Sequence, residues 1–257
     1  MSLEITQYKN NKLKIMNSAN NLDKELSNDL PEPLPNYAGF LMVIAGAPGS
    51  GKTTLLTSLM TSKKKNGKRQ SYRKLFDKII IVSPTLGNGK SMKNDPFADI
   101  KGEQKFKEFN LETIDEIMNM LEKNREDDLK TVIIFDDVGS QIRKSQLAEK
   151  KLINLCQNRR HLFCSIFFLV QKWKDLGTGI RSAMSHFITF RPKNNMEMES
   201  IMQETMPYKK NCWQQIMNYI FDNKDKFSFF MIDMSLKQTN KYRYFNKFDE
   251  MIINEIC

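Results

Sequence analysis

A glycine-rich segment at residues 46–53 constrains the fold of this chain more than any other feature of its sequence. The segment reads GAPGSGKT, follows the continuous apolar run Phe40 to Ala45, and opens a stretch of helical composition at residues 53–61. A strand, a G-x-x-x-x-G-K-[ST] turn and a helix in this order predict a loop whose main-chain N–H groups surround phosphate oxygens at a helix N-terminus. The residues predicted to form this nucleotide site are Gly46, Ala47, Pro48, Gly49, Ser50, Gly51, Lys52, Thr53 and Thr54.

The regions around this loop alternate between apolar strands and amphipathic helices. Ile114, Ile117, Met118 and Leu121, for example, recur at helical spacing between two strand patterns. Such alternation predicts an α/β fold with a doubly wound, mainly parallel sheet, helices on both faces, and ligands at the carboxyl ends of the strands. The predicted strands are residues 40–45, 78–83, 131–136, 163–170 and 186–190.

Polar side chains end two of these strands and supply candidate catalytic groups. We expect Asp136 to hold a Mg²⁺ shell with the Thr53 hydroxyl, and Asp137 to polarise an attacking water, which predicts hydrolysis as well as binding. Asp137 could instead cap the turn that follows it. Gln171, whose amide has both donors and an acceptor, is a candidate sensor of the γ-phosphate, or simply the first solvated residue after its strand.

The order of the motifs along the chain limits which class of P-loop protein we expect. The strand at 78–83 lies between the phosphate loop and Asp136 in the sequence. We therefore expect a strand inserted between the loop strand and the Asp136 strand, as in RecA-like motor ATPases and unlike nucleotide kinases. The predicted class is a RecA-like P-loop NTPase.

Four segments together resemble the genome-packaging ATPases of large DNA viruses, the poxvirus-type branch of the FtsK–HerA superfamily. They are GAPGSGKTT at 46–54, IIFDD at 133–137, NRRHLFCSIFFLVQ at 158–171 and GIRSAMSHFITFRP at 179–192. The arginine and histidine before the fourth strand, its terminal glutamine, and the Ile-Arg pair before the fifth strand are the more specific features. The resemblance covers about residues 38–192.

The resemblance implies an ATP-hydrolysing motor that assembles as a homo-oligomeric ring and drives double-stranded DNA into a preformed capsid. ATP and Mg²⁺ would be its cofactors, capsid or portal-vertex proteins its partners, and the virion and host-cell cytoplasm its location. It assigns Lys52 and Thr53 to phosphate and Mg²⁺, Asp136 to the metal shell, Asp137 to the base and Gln171 to the sensor. Such motors more often use Glu as the base. Candidates for an arginine that enters a neighbouring subunit's site are Arg159, Arg160 and Arg181.

The charge of the chain favours a polyanionic partner. Forty Lys and Arg residues against 30 Asp and Glu residues leave a net charge of +10, and residues 61–78 carry eight of the basic residues against one acid, Asp77. This segment, with Gly67 and Tyr72, suits phosphate contact without sequence preference; a solvated loop is the alternative. Residues 87–93 and 241–245 are further candidates. The residues predicted to contact DNA are Lys63, Lys64, Lys65, Lys68, Arg69 and Arg73.

Composition shifts divide the chain into three predicted regions. Residues 1–36 are predicted to be an N-terminal arm or linker, 37–195 the ATPase core, and 196–257 a C-terminal extension of the same domain. In that extension we expect an edge strand at 227–234 and a last helix at 248–256. No apolar run approaches the roughly 18 residues that a membrane span needs. Four cysteines without a C-x-x-C pair predict a reducing compartment.

Three other functions are compatible with parts of this pattern. A HerA-like helicase or translocase in recombination or plasmid transfer would share nearly all of these residues. A nucleotide or nucleoside kinase would need an arginine-bearing lid and an acceptor pocket, and would not need Asp137, Gln171 or a basic surface. A non-catalytic ATP switch that recruits partners would need the phosphate loop alone.

Overall fold

A computed structural model describes most of the chain. The described residues are 24–63, 65, 67–69, 71–84, 104–222, 225, 227–235 and 242–253. The strands are β1 (Leu41–Ala45), β2 (Lys78–Val82), β3 (Lys105–Phe106), β4 (Thr131–Asp136), β5 (Cys164–Val170), β6 (His186–Phe190), β7 (Phe229–Asp233), β8 (Arg243–Asn246) and β9 (Asp249–Met251). The helices are α1 (Lys52–Thr61), α2 (Leu111–Glu126), α3 (Gly139–Ile142), α4 (Gln146–Asn158), α5 (Thr178–Ala183), α6 (Asn195–Thr205) and α7 (Lys210–Phe221).

These strands form one sheet in the order β3-β2-β4-β5-β1-β6-β7-β8-β9. The first six in this order run parallel, and β7, β8 and β9 continue the sheet as antiparallel strands. The predicted α/β class with a mainly parallel sheet is confirmed. Because the carboxyl ends of the parallel strands share one edge, the residues that follow β1, β4 and β5 converge there.

A strand does separate β1 from β4, but it is β5 rather than the strand at 78–83. That strand, β2, pairs with the far side of β4. All seven residues of β5 are buried, whereas Lys78 and Ile79 of β2 are only partly buried. A strand with neighbours on both sides and helices on both faces is covered throughout, so burial distinguishes the two positions although chain order does not.

Alternate residues of the central strands face two hydrophobic cores. Leu41 and Val43 of β1 point into the core that packs against α2, α4 and α5, while Met42 and Ile44 point into the core beneath α1. A covered sheet with a side-chain period of two produces this division. Because both faces are covered, the functional groups are left at the edges of the sheet.

The segment before β1 differs from the expected linker over the part that is described. The Leu26 N–H donates to the Asn36 carbonyl at 2.7 Å, and the Ala38 N–H donates to the Lys24 carbonyl at 2.7 Å. Leu26 and Leu34 are buried in the core beneath α1. Residues 24–36 are therefore part of the packed domain, and residues 1–23 of the expected arm lie outside the described residues.

The C-terminal region also differs from expectation. The strand expected at the edge, β7, has partners on both sides, β6 and β8. The helix expected at 248–256 is wrong over its described part, because residues 249–251 form β9 and pair with β8. A turn with Lys247 at a φ of 57° reverses the chain before a helix could begin. No helix within the described ranges is both long and apolar enough to cross a membrane.

Candidate active site

The phosphate loop lies at the carboxyl edge of the sheet, between β1 and α1. The Gly46 N–H donates to the Val170 carbonyl at 3.1 Å, which ties the loop to β5. Gly49 and Gly51 have φ values of 75° and 107°, which residues with a side chain rarely adopt. The backbone conformation of the loop therefore requires glycine at these two positions, in addition to what phosphate binding requires.

Close packing adds a second requirement for glycine. A Cβ atom at Gly46 would lie 2.7 Å from Ser50 Oγ and 2.9 Å from Phe190 Cβ, and one at Gly51 would lie 3.2 Å from Phe227 Cδ1. The Ser50 hydroxyl is buried and has no hydrogen-bond partner among the described residues. A buried hydroxyl without a partner is suited to donate to a phosphate oxygen bound by the loop.

We expect substitution of Gly51 to cost more stability than substitution of Gly49. Gly51→Ala introduces both backbone strain and contact with two phenyl rings, Phe190 and Phe227, and should lower the free energy of unfolding by about 2–3 kcal/mol. Gly49→Ala is the matched control, because its Cβ would have open space around it, and should cost only about 1 kcal/mol of backbone strain. Urea unfolding of both variants measures the difference; equal costs would contradict the packing argument.

Lys52, the first residue of α1, places its ammonium group in the mouth of the loop. Its Nζ donates to the Gly46 carbonyl at 2.6 Å and to the Ala47 carbonyl at 3.1 Å. Burial lowers the pKa of Lys52, while the nearby carboxylates of Asp136 and Asp137 act in the opposite direction. One ammonium therefore connects the loop electrostatically with both acids at the end of β4.

Asp136 is the last residue of β4 and is held by a side chain from the neighbouring strand end. Ser83, which follows β2, donates its hydroxyl to Asp136 Oδ2 at 3.0 Å. Thr53 and Thr54 are exposed in the first turn of α1. Mg²⁺ in proteins is usually coordinated by one or two carboxylates together with phosphate oxygens, and not by protein ligands alone. Asp136 and Thr53 would supply protein ligands of this kind. Among the described residues no group of three or more His, Cys, Asp or Glu side chains is placed to hold a metal ion.

Asp137 and Gln171 form a direct pair. The Gln171 side-chain amide donates to Asp137 Oδ1 at 2.9 Å and to Oδ2 at 2.8 Å. The pairing follows from the topology, because β4 and β5 are neighbours with Asp136 in register with Leu169, and the Asp137 N–H donates to the Leu169 carbonyl. The N-cap residue of α3 is Val138, so Asp137 does not cap that helix. Its carboxylate faces the site.

Two of the three candidate finger arginines lie at the opposite edge of the sheet. Arg159 and Arg160 precede β5, and the Arg160 backbone lies against Gly39, just before β1. Arg159 is buried, donates to the Cys156 carbonyl, and has its pKa lowered by burial. Its guanidinium packs inside the domain and is not presented to a neighbouring subunit, whereas Arg160 is exposed.

The third candidate, Arg181, is held within its own chain. Its Nε and Nη2 atoms donate to both Glu204 carboxylate oxygens at 2.9 Å, and Nη1 donates to the Leu176 carbonyl. The guanidinium also lies over the Trp173 ring, with Cζ 5.3 Å from its centroid. A side chain with these contacts joins α5 to α6, and the structure does not present it as a finger.

The basic segment between α1 and β2 lies at the edge of the sheet opposite the phosphate loop. Lys65 and Lys68 exchange main-chain hydrogen bonds of 2.9 and 3.0 Å, so the segment forms a tight turn. Lys63, Lys65, Lys68 and Arg73 are exposed, and Arg69 donates to the Arg73 carbonyl. Lys64 lies outside the described residues.

The remaining features that suggested DNA contact are placed differently. Tyr72 is buried and stacks on Phe40 with ring centroids 5.4 Å apart, so it cannot stack on a base. Arg243 of β8 forms ion pairs with Glu32 and with Glu250 of β9. The loop at 87–93 lies outside the described residues.

Three residues of the site were missed by sequence reasoning. Ser83 follows a strand in the same way as Gln171 does, and that position was the available signal. Phe190 and Phe227 pack against the loop glycines from the β6 and β7 side. Nothing in their local sequence indicates this contact, because it depends on the antiparallel return of β7.

A glycine-rich loop after β1, the carboxylates of Asp136 and Asp137 at the end of β4, and Gln171 directly after the inserted β5 define a RecA-like P-loop NTPase. The model of the family described as "Poxvirus A32 protein" matches residues 34–256. The chain belongs to this family. The expected resemblance is therefore confirmed, and the match extends beyond the four segments that first indicated it.

Curated relatives and solved structures agree with this assignment. The chain is 28% identical over 155 residues to the DNA packaging protein OPG160 of Variola virus and to that of Vaccinia virus (strain Copenhagen), a match that covers 59% of this chain and 53% of each relative. The chain thus spans about half the length of the curated relatives it matches.

Among solved structures, the fold is similar to that of B204, the DNA-packaging ATPase from Sulfolobus Turreted Icosahedral Virus. The TM-score is 0.55 at 13% identity, covering 80% of this chain and 97% of that chain. The B204 NTPase of Sulfolobus turreted icosahedral virus 2 in complex with ATP-gammaS gives a TM-score of 0.51 at 14% identity, covering 80% and 96%. At these identities the similarity is one of fold.

Proposed function

We propose that this protein is an ATP-driven motor that translocates double-stranded DNA and packages a viral genome into a capsid. The observation that carries the proposal is the meeting of Asp136, Asp137 and Gln171 at the sheet edge that holds the phosphate loop. Nucleotide binding alone would not need Asp137, a second carboxylate beside Asp136 that accepts hydrogen bonds from the Gln171 amide. The relatives are DNA packaging proteins and B204 is a DNA-packaging ATPase, which supports the packaging task.

In the proposed site, each group has one task toward a bound nucleotide. The loop N–H groups and Lys52 hold the β- and γ-phosphates, and Thr53 and Asp136 would hold Mg²⁺. Mg²⁺, when bound with the nucleotide, neutralises charge on the phosphate oxygens. Ser83 orients the Asp136 carboxylate through its hydrogen bond. These residues would therefore bind the nucleotide and position its phosphates.

Asp137 and Gln171 would perform the hydrolytic step. The Asp137 carboxylate accepts a hydrogen bond from a water and orients it toward the γ-phosphorus. The Gln171 amide donates hydrogen bonds to both carboxylate oxygens of Asp137. A γ-phosphate offers the amide a competing acceptor, so nucleotide binding would release the carboxylate for water. Gln171 would thereby report the presence of the γ-phosphate through β5.

We propose the basic segment at 63–73 as the contact with DNA, with Lys63, Lys64, Lys65, Lys68, Arg69 and Arg73 as its cations. Exposed lysines on a tight turn suit contact with phosphates independent of sequence. The remaining parts of the proposal are a homo-oligomeric ring, capsid or portal-vertex partners, and action in the virion and host-cell cytoplasm. Of the three arginine candidates, Arg160 is the one with an exposed side chain, and we propose it as the finger.

ATPase turnover with and without duplex DNA tests the proposed function directly. We expect hydrolysis that duplex DNA stimulates. Phosphate transfer to a small acceptor, without release of inorganic phosphate, would support a kinase. Binding of ATP with no turnover under either condition would support a nucleotide switch. The latter two results contradict the motor.

We expect neutralisation of the basic segment to weaken DNA binding and its salt dependence. Replacing three exposed lysines by alanine removes up to three phosphate contacts, which should reduce the slope of log K against log salt by about 2–3. Equilibrium binding to a duplex at several salt concentrations measures the slope. The residues to replace are Lys63, Lys65 and Lys68.

The matched control removes the same charge from exposed lysines elsewhere on the domain. Lys123, Lys150 and Lys209 are exposed on or beside α2, α4 and α7. Their triple alanine variant should change the salt slope by much less. If both variants lose the same slope, net charge governs DNA binding and the basic segment has no special role.

A further inference from the structure

The positions of the acids determine the direction in which a bound nucleotide must extend. Asp136, Asp137 and Gln171 follow β4 and β5, on one side of β1. With the γ-phosphate on that side and the β-phosphate in the loop, the nucleoside extends away from β5. The elements on the other side of β1 are β6 and then β7. The groups at their loop-side ends are therefore the candidates to contact the base.

Phenyl rings occupy these ends. Phe190 ends β6 and is in register with Phe229, which begins β7, and their ring centroids lie 5.7 Å apart. Phe229 also meets Phe248, in the turn between β8 and β9, edge to face at 5.2 Å. Phe227, just before β7, packs against Gly51 of the phosphate loop. Phe190 and Phe227 thus lie against the loop, Phe229 packs against Phe190, and Phe248 packs against Phe229.

The outer two of these rings face solvent although they are large and apolar. Phe227 is 55% exposed and Phe248 37% exposed, whereas Phe190 and Phe229 are buried beneath them. Exposed aromatic rings at the mouth of a polar site are an established way to bind a base, because stacking uses the face of the ring and needs no hydrogen bond.

Polar contacts hold the exposed rings in place. The Asp225 carboxylate accepts a hydrogen bond from the Phe227 N–H at 2.9 Å and pairs with the Lys247 ammonium, which belongs to the turn that carries Phe248. These contacts lower the pKa of Asp225. The Lys247 N–H in turn donates to the Phe229 carbonyl at 2.9 Å. Two separate turns are therefore fixed to each other and to β7.

We propose that Phe227 and Phe248 form a stacking platform for the base of the nucleotide whose phosphates the loop binds. The platform rests on the proposed function, since it takes the base of the same ATP. Stacking area is larger for a purine than for a pyrimidine, so the platform selects purine nucleotides. Phe190 and Phe229 act as positioning residues beneath the two exposed rings.

Binding measurements with ATP and with tripolyphosphate separate the platform from the phosphate site. Phe227→Ala should weaken ATP binding about tenfold, the usual loss when one aromatic stacking partner of a base is removed. It should leave the affinity for tripolyphosphate, which has no base, unchanged. Phe227→Tyr should restore ATP binding, because it keeps the ring. Tyr219→Ala removes an aromatic side chain that is 71% exposed on α7 and serves as the matched control.

A Phe227→Trp variant provides a readout independent of affinity. Its indole fluorescence should be quenched when ATP binds and should not respond to tripolyphosphate. Unchanged ATP affinity in Phe227→Ala would overturn the platform. An equal loss of affinity for ATP and for tripolyphosphate would also overturn it, because it would indicate damage to the phosphate loop through Gly51. If the unaltered protein binds neither ligand, the proposed function itself fails, and that result is distinct from the other two.

Discussion

Replacing Lys52 by methionine is expected to abolish ATP hydrolysis, with a loss of at least about 1,000-fold in turnover, comparable to that from removing a cation that stabilises a transferring phosphoryl group. The physical reason is the position of the ammonium. Two carbonyls of the loop, those of Gly46 and Ala47, hold it where the β- and γ-phosphates would lie. A substitution that keeps the aliphatic stem removes the charge alone, and steady-state release of phosphate measures the result.

The same variant should fold as well as the unaltered protein. Burial lowers the pKa of Lys52, which means that burial disfavours the charged ammonium. Methionine does not carry that cost, so the urea midpoint of Lys52→Met should be equal or higher. Loss of turnover together with a lower midpoint would indicate a structural role for Lys52 and contradict its assignment to phosphate binding.

The sequence predicts well those parts of the fold that depend on the local pattern of apolar and polar residues. Apolar runs locate the parallel strands, and the polar residues that end them locate the site, because ends of adjacent parallel strands share an edge. Asp137 and Gln171 are 34 residues apart in the chain and meet in the structure as this reasoning expects. The identity of the strand between β1 and β4 was missed, since chain order does not set lateral order in the sheet.

Side-chain environment is the part that sequence pattern does not supply. Arg181 and Arg159 were candidates for the arginine that enters a neighbouring site, but Arg181 pairs with Glu204 and Arg159 is buried beside Cys156. Tyr72 lies in a basic run and is nevertheless part of the core. For Arg181 and Tyr72 the deciding contact comes from an element distant in the sequence, Glu204 of α6 and Phe40 before β1 respectively. Short apolar segments are ambiguous for a similar reason: a helix was expected at 248–256, but residues 249–251 form β9 after the turn at Lys247.

The backbone at Asp137 is well suited to aspartate, whereas P-loop motors more often carry glutamate as the base. Asp137 has a φ of 55°, in the left-handed region, where Asp and Asn are several times more frequent than other residues with a side chain. The Gln171 amide spans both of its carboxylate oxygens at this backbone position. A shorter acid is thus matched to a strand end that turns sharply.

Asp137→Asn is expected to lower turnover by about 100- to 10,000-fold while ATP affinity changes by no more than a few fold, the range for loss of a general base. Asparagine keeps the left-handed backbone and one oxygen that can accept from Gln171, and it removes the charge, the basicity and the second hydrogen bond from the amide. Single-turnover hydrolysis and equilibrium ATP binding, measured on the same preparation, separate the chemical step from affinity.

The chain contains a matched control for this substitution. Asp128, which follows α2 at the opposite edge of the sheet, also has a positive φ, 57°, so Asp128→Asn makes the same chemical change in the same backbone conformation. It should leave turnover unchanged, because its carboxylate pairs with Lys24 far from the loop. Wild-type turnover in Asp137→Asn would remove Asp137 from the hydrolytic step. Equal losses in both variants would assign the effect to net charge, whereas a loss confined to Asp137→Asn, with ATP still bound, locates water activation at the end of β4.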